Sequence, residues 1–460
     1  MIKVFSHWLH LKTVLRILID FIFPVICVLL AVVLVGHRGQ ESIESVIIYA
    51  VVFALAMIVF NASLGLYQRS HGRTIMQTRA RAVLSLYLSV PLAYGVFALL
   101  SIADADHELL LVSGLAALFG TLAHRVYTMH RRTGTMMEHR VLIFGAGPVA
   151  ESVSKVLKRS DPDIQIVGYY PSPTDTEICI PGQLVLPRAQ SLSDTAYALN
   201  VHEIIIAVRE RRGGILPLRE LLDCKLSGVN VLDLASYFER ALGQIRLDSL
   251  RIGWLIFGEG FRQGWQRTFV KRLFDIVAAS ILLLLALPMM LVTALLIVLE
   301  DGFPVFYRQE RVGLNGRLFN VIKFRSMRKD AESDGKPRWA TANDDRTTRI
   351  GRIIRKLRID ELPQLYSVLT GDMSLVGPRP ERPYFVDQLT REIPFYAVRH
   401  SVKPGVTGWA QVSYPYGASV DDSIQKLQYD LYYVKNHTLF LDIVILCETV
   451  VVVLTGKGAQ

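Results

Sequence analysis

At 460 residues the chain is too long for one ordinary core, so two or three domains are expected. Hydrophobic residues make up 51% and mean hydropathy is +0.33, high for a soluble protein; the apolar residues concentrate before residue 130, then around 274–299 and 439–454. A net charge of +10 admits nucleic acid, anionic lipid headgroups or phosphorylated substrates as partners; no nucleic-acid module is recognisable, and cations flanking apolar spans favour lipid. Cys27, Cys179, Cys224 and Cys447 form no CxxC or Cys/His cluster, which argues against a disulfide framework or a zinc site and fits a reducing face.

The first apolar stretch is too long for a cleaved signal and no small-residue cleavage site follows it. Runs near 14–35, 45–67, 82–102 and 108–129 each approach the ~20 residues a bilayer-crossing helix needs, so residues 1–135 read as a four-span anchor. Connectors 68–81 (Arg69, Arg73, Arg79, Arg81) and 130–140 (Arg131, Arg132, Arg140) are basic, whereas 36–44 and 103–107 hold Arg38 and several acids. That asymmetry places both ends of the bundle in the cytoplasm. Ionisable residues are nearly absent from the spans, which therefore read as an anchor and not as a substrate path. A buried soluble helical bundle is the alternative.

Residues 136–255 are compositionally soluble and read as a Rossmann-like α/β domain. Arg140–Phe144 predicts a buried strand, Gly145-Ala-Gly147 a turn, and a helix follows; strands are also expected at 164–170 and 202–208. Gly145 and Gly147 could present backbone N–H groups to a phosphate, but no acid closes the second strand, where Tyr170 leads into Pro171-Ser-Pro173. A structural or regulatory domain is as consistent with this pattern as a nucleotide site, and a homodimer through this domain is an open alternative.

Lys271-Arg-Leu-Phe-Asp275 opens an apolar run to Leu299, interrupted by Pro288. Arg262, Arg267, Lys271 and Arg272 flank one end; Arg308, Arg311, Arg317, Lys323, Arg325, Arg328 and Lys329 follow the other. Positive residues on both sides conflict with a crossing, so residues 271–299 read as a helix that enters, bends at the proline and returns to the same face.

Residues 300–435 carry the chemistry. Strands at 305–308 and 317–327 flank Asn315-Gly316, a hairpin turn signal. Lys323 and Arg325, two apart on the second strand, share a face and suit a pyrophosphate. In Arg349–Arg358, Ile350, Ile353, Ile354 and Leu357 form one helical stripe among cations, a pattern for a helix in the headgroup layer. Pro363 puts Asp360-Glu361 at the first turn of a helix ending near Gly371, where one carboxylate can face a substrate and the other a metal; a simple cap is the bland alternative. Pro378 and Pro380 fix the backbone around Arg379, whose fork suits phosphate or a planar base.

The ordered set Lys-Phe-Arg-Ser-Met (323–327), Asp-Glu-Leu-Pro-Gln (360–364), Gly-Asp-Met-Ser-Leu-Val-Gly-Pro-Arg-Pro (371–380), Lys-Pro-Gly-Val-Thr-Gly-Trp-Ala-Gln-Val (403–412) and the stretch around Tyr429-Asp430 resembles the monotopic bacterial phosphoglycosyl transferases. These are the polyprenyl-phosphate hexose-1-phosphate transferases that start exopolysaccharide and O-antigen repeats. The resemblance covers 265–460; the spans and the central domain look like the family's long members. It implies an inner-membrane enzyme facing the cytoplasm, with a UDP-hexose, undecaprenyl phosphate and membrane lipid as partners, glucose first and galactose next. It implies that Asp360 attacks the β-phosphate and releases UMP, that Glu361 with Asp360 holds Mg²⁺, and that Lys323, Arg325, Arg358, Arg379, Pro378 and Pro380 serve phosphate and nucleotide. Asp430 would orient a basic neighbour. Leu287-Pro288 stands where the family's bend commonly carries Ser-Pro. Two rivals are a nucleotide-sugar dehydratase or oxidoreductase built on the Gly145 turn, for which no Tyr-x-x-x-Lys pair exists, and a non-enzymatic scaffold for polysaccharide assembly.

Overall fold

A computed structural model describes residues 2–4, 7–9, 11–35, 43–64, 66–67, scattered positions from 81 to 95, 139–160, 164–208 except 174, 176 and 188–190, 216–247, 250, 264–328, 346–414, 417 and 419–455. The chain forms two compact units, residues 1–131 with 259–460, and residues 132–258.

In the first unit a short antiparallel pair, β1 (Ile2–Val4) and β2 (His7–Leu9), precedes two long apolar helices, α1 (Leu11–Val35) and α2 (Ile43–Ser63). They pack through Cys27, Val28, Tyr49, Ala50, Phe53 and Met57. Each is long and apolar enough to cross a membrane. The expected span at 108–129 and most of that at 82–102 lie outside the described residues, as do the basic connectors apart from Arg81, His139 and Arg140. The spans are less uniformly apolar than expected: Asp20 is buried within α1, where it accepts hydrogen bonds from Asn61 Nδ2 (3.2 Å) and Tyr67 Oη (2.9 Å). A carboxyl group among apolar side chains needs such donors, and these tie α1 to the end of α2.

The second unit is a four-stranded parallel sheet of order β4-β3-β5-β6, with β3 at His139–Phe144, β4 at Ile164–Tyr170, β5 at Glu203–Ile206 and β6 at Asn230–Asp233. Side chains alternate across a strand, so Val141 and Ile143 face one layer while Leu142 and Phe144 face the other. The first layer contains Val153 and Leu157 of α3 (Pro148–Ser160). The second contains Leu192 and Ala196 of α4 (Leu192–Ala198) with Leu221 and Cys224 of α5 (Leu218–Leu226). Tyr237 and Phe238 of α6 (Leu234–Leu242) complete the first.

The first unit resumes with α7 (Trp265–Asp301), a helix of 37 residues that is longer than the expected 271–299 and continuous through Pro288. Its middle exposes Leu284, Leu285, Leu291 and Val292, while both ends are fastened to the segment that follows. At the start, Arg272 donates to the carbonyls of Val368 (2.6 Å) and Leu369 (2.7 Å), Lys271 Nζ pairs with Asp442 (2.7 Å), and Leu375 N donates to Asp275 (3.2 Å). At the finish, Ile297 packs with Phe324 and Ile354, and Glu300 accepts from the amides of Arg349 and Ile350.

Next come the antiparallel strands β7 (Phe306–Val312) and β8 (Leu318–Phe324), the first longer than expected, joined at Asn315-Gly316 with both residues at positive φ. Helix α8 (Arg349–Lys356) is capped by Thr348. Its isoleucine stripe splits: Ile354 is buried and Ile350 packs against α7, whereas Ile353 and Leu357 are exposed, because α8 docks on the end of β8. That docking needs Gly351, since a Cβ there would collide with the Ser326 carbonyl oxygen and come within 2.7 Å of its carbon. Backbone cannot yield as a side-chain tip does, so Gly351→Ala should lose roughly 2–3 kcal/mol, read as a lower unfolding midpoint in detergent.

The remainder is α9 (Gln364–Thr370), β9 (Ser374–Val376), α10 (Pro383–Glu392), β10 (Gly405–Thr407), α11 (Trp409–Ser413), α12 (Val420–Asn436) and α13 (Leu439–Thr455). Strands β9 and β10 pair in parallel, and Gly377 and Gly405 let the two backbones touch where any Cβ would clash.

Candidate active site

Asp360 and Glu361 sit in a 3₁₀ turn, Ile359–Glu361, between α8 and α9, one step before the helix in which the spacing placed them. Arg358 enters that turn with φ 58°, Pro363 caps α9, and Gly371 closes it at φ 97°. The helix ends as expected; the acids precede it.

Both carboxyl groups are buried. Glu361 Oε1 accepts from Lys323 Nζ (2.9 Å) and Arg379 Nη2 (3.0 Å), and Arg358 Nη1 lies 3.9 Å from Oε2. Burial pulls the Glu361 pKa upward, but these three cations outweigh it and hold the group well below the usual carboxylate range. Asp360 behaves oppositely. Burial first, then the neighbouring Glu361 charge, push its carboxyl up to about 6, and its Oδ1 is buried without any hydrogen-bond partner. The two adjacent acids are thus driven apart: one held charged by the cations around it, the other with an open oxygen.

The loop after β9 is gripped from two sides. Arg311 of β7 donates to the Pro380 carbonyl (3.1 Å) and pairs with Glu381 (3.4 Å), while Val312 N donates to the Glu381 carbonyl. On the other side Arg399 donates to the Arg379 carbonyl (2.9 Å) and to Tyr396 Oη (2.7 Å), and it pairs with Asp430 at 2.8 Å. Pro378 supplies the carbonyl that accepts from Gly405 N, and Pro380 the one held by Arg311. Four expected residues, Lys323, Arg358, Arg379 and Glu361, therefore converge, with Asp360 beside them.

Two do not join them. Arg325 lies just beyond the end of β8 and turns to the end of α7, donating to the Asp301 and Gly302 carbonyls (3.0 and 2.6 Å) and pairing with the Asp301 carboxylate (3.2 Å). The shared-face expectation fails because β8 ends at Phe324 and the carbonyls freed at the terminus of α7 attract the guanidinium. Asp430 is buried on α12 and reaches the loop only through Arg399. The sequence gives Arg399 and Glu381 no role at the site, and Arg311 only that of a cation flanking the apolar run. Each is a lone charge without periodicity; the only hint was Arg399 standing four residues before Lys403-Pro-Gly.

In the second unit Gly145 adopts φ 121°, as a tight turn requires, but the Ala146 amide donates to Asp175 (2.8 Å), which also accepts from Ser172 N. The chain's own carboxylate takes the place a phosphate would need.

A buried acid held by Lys323 and Arg379, beside another whose oxygen has no partner, is an arrangement whose charge can accommodate a phosphate group. Residues 266–456 match the family described as bacterial sugar transferase. A UDP-N-acetylgalactosamine-undecaprenyl-phosphate N-acetylgalactosaminephosphotransferase of Aeromonas hydrophila is 46% identical over 245 residues, 53% of this chain and 56% of that protein. A UDP-glucose:undecaprenyl-phosphate glucose-1-phosphate transferase of Xanthomonas campestris pv. campestris is 33% identical over 347 residues, 73% of this chain and 70% of the relative. The Escherichia coli K12 protein of the same description is 41% identical over 194 residues, 41% of each chain. The chain belongs to the bacterial sugar transferase family. The match spans little more than half the length of the Aeromonas relative.

Proposed function

We propose that this protein transfers a sugar 1-phosphate from a UDP-hexose to undecaprenyl phosphate, releasing UMP, at the inner bacterial membrane with Asp360 as nucleophile. The observation that carries this reading is the Asp360 oxygen, buried without a partner next to a neutralised Glu361. An Asp360 oxygen attacks the phosphorus that bears the sugar. A P–O bond forms, the bond from that phosphorus to the bridging oxygen breaks, and UMP leaves with the electron pair. A phosphate oxygen of the lipid then attacks the aspartyl phosphate, which restores the carboxylate and yields the sugar diphospholipid. Lys323, Arg358 and Arg379 hold Glu361 and present positive charge where the diphosphate lies.

Asp360 and Glu361 would hold Mg²⁺. Two carboxylates are a sparse set, and the described residues contain no group of three metal-ligating side chains. That suits a cation that keeps most of its ligands as water and substrate phosphate, and the open Asp360 Oδ1 offers it a position. When bound, Mg²⁺ would neutralise diphosphate charge.

The anchor is read as four spans and the second unit as a Rossmann-like scaffold without redox work. For α7, about 55 Å of helix at ~1.5 Å per residue exceeds the ~30 Å apolar core. Both ends grip one segment, which supports a re-entrant path. Labelling of single cysteines near Arg262 and Arg308 should occur from the cytoplasmic side for both; opposite-side labelling would defeat the path.

The test of the reaction is UMP release in detergent with polyprenyl phosphate and a panel of UDP-glucose, UDP-galactose and UDP-N-acetylgalactosamine. UDP-glucose is the expected donor. Preference for N-acetylgalactosamine, the sugar named for the Aeromonas relative, would change the sugar but not the reaction. No UMP from any of them would end the reading.

A further inference from the structure

The first strand of the hairpin carries a polar strip to which the transfer reaction gives no part. Alternate residues of a strand share a face, so Tyr307, Gln309 and Arg311 of β7 project to one side. Tyr307 stands directly opposite Lys323 of β8, and directly paired residues point the same way. On that face Lys323 reaches Glu361 (2.9 Å), and Arg311 reaches the loop of Arg379 through the Pro380 carbonyl (3.1 Å). The strip therefore borders the acid pair, from one cation that holds Glu361 to the loop that carries the other. Its hydrogen bonds have a fixed direction. Arg311 has only donors, so the Gln309 oxygen must face it (2.5 Å), which turns the Gln309 amide nitrogen to Tyr307 Oη (3.1 Å). That oxygen accepts from Gln309 and keeps its own proton to give. The relay ends in a donor, on a side chain that is 40% exposed.

We propose that Tyr307, oriented by Gln309 and standing beside Lys323, donates a hydrogen bond to the phosphate of the incoming polyprenyl lipid. The inference rests on the transfer reaction above and names the side of the site at which the second substrate arrives. Position selects the lipid over the nucleotide sugar. Strand β7 follows closely on Asp301, where α7 ends, so Tyr307 is the member of the strip nearest the membrane helix in sequence. Arg311, at the far end, is engaged with Glu381 and the loop of Arg379. Phe303, between α7 and the strand, is 72% exposed, an apolar surface for the lipid chain as its headgroup turns toward the acids. Chemistry agrees. A hydroxyl bonds more strongly to a charged phosphate oxygen than to a neutral one, and the neighbouring ammonium of Lys323 offsets the charge of a second phosphate entering the site. The phenol keeps its proton throughout: it binds and orients the lipid phosphate, whose oxygen makes the attack.

The two halves of the reaction separate this role from a donor-side one. The full chain in detergent, mixed with the UDP-sugar that the panel above selects and no lipid, should release UMP in a burst. Tyr307→Phe should leave the rate and amplitude of that burst unchanged. With polyprenyl phosphate added, Tyr307→Phe should raise KM for the lipid roughly tenfold, the scale of one hydrogen bond to a charged group. Gln309→Leu, which lets the phenol turn, should raise it in the same direction by less. The pair of substitutions together should lose little more than Tyr307→Phe alone, because both act through one hydroxyl. Tyr307→Phe keeps the ring and should unfold at the parental temperature, so a change in KM is not a change in folded protein. A parental burst with a lipid KM unmoved in Tyr307→Phe would overturn the proposal and leave the transfer reaction standing. A diminished burst in Tyr307→Phe would put the phenol on the donor side and overturn it as well. A parent without any burst would remove the covalent transfer itself, and the role of Tyr307 with it.

Discussion

Asp360→Asn should abolish UMP release, lowering kcat by roughly 10⁴-fold or more, the scale on which removal of a nucleophile acts. The expectation comes from what the carboxylate does not do in the fold. Its Oδ1 supports no hydrogen bond, so an amide leaves no neighbour stranded and the variant should unfold at the parental temperature. Glu361→Gln is the contrasting case. Lys323 and Arg379 would lose the carboxylate that holds them at 2.9 and 3.0 Å, so both activity and stability should fall. Since Arg379 is a third exposed at its side chain, solvent limits the stability loss to about 1–2 kcal/mol. A sugar phosphate attached to the protein should be trappable when lipid acceptor is withheld from the parent, and absent from Asp360→Asn. Full turnover by that variant would remove Asp360 from the chemistry.

The parts of this molecule that were legible in the sequence are those where local chemistry dictates local geometry. Asn315-Gly316 demands positive φ and so marks the hairpin; Pro363 and Gly371 bracket α9; short apolar runs mark β3 and β5. Lys323, Glu361 and Arg379 were found because they sit in dense motifs. What escaped depends on contacts between distant segments. Lys271 and Arg272 read as flanking charge and Asp275 only as part of the opening of an apolar run, yet the fold engages them with carbonyls and an amide some 96 to 105 residues away. Arg325 was assigned to phosphate because strand periodicity puts it beside Lys323, and periodicity cannot know that β8 stops at Phe324. The Asp175 carboxylate that fills the Gly145 turn comes from a loop, where no pattern constrains the side chain's direction.

Asp430→Ala should destabilise the fold more than either substitution in the acid pair, and it should reach the reaction without touching substrate. Asp430 and Arg399 are both buried, and burial pushes the Asp430 carboxyl up while the guanidinium at 2.8 Å pulls it down. Removing one member of such a pair strands the other charge, at a cost of about 3–5 kcal/mol. The same guanidinium holds the Arg379 carbonyl at 2.9 Å, and Arg379 in turn holds Glu361. A loosened loop therefore displaces the cation that faces the diphosphate, and a shift of about 1 Å can lower rate some 10²-fold. Asp430→Asn keeps a hydrogen-bond acceptor and should recover part of both losses. Thermal unfolding in detergent and separate kcat and KM values for the UDP-sugar distinguish the outcomes. A positioning role predicts that kcat falls in the fraction still folded at low temperature. A purely structural pair predicts fewer active molecules with an unchanged rate per folded chain, and that result would confine Asp430 to the core.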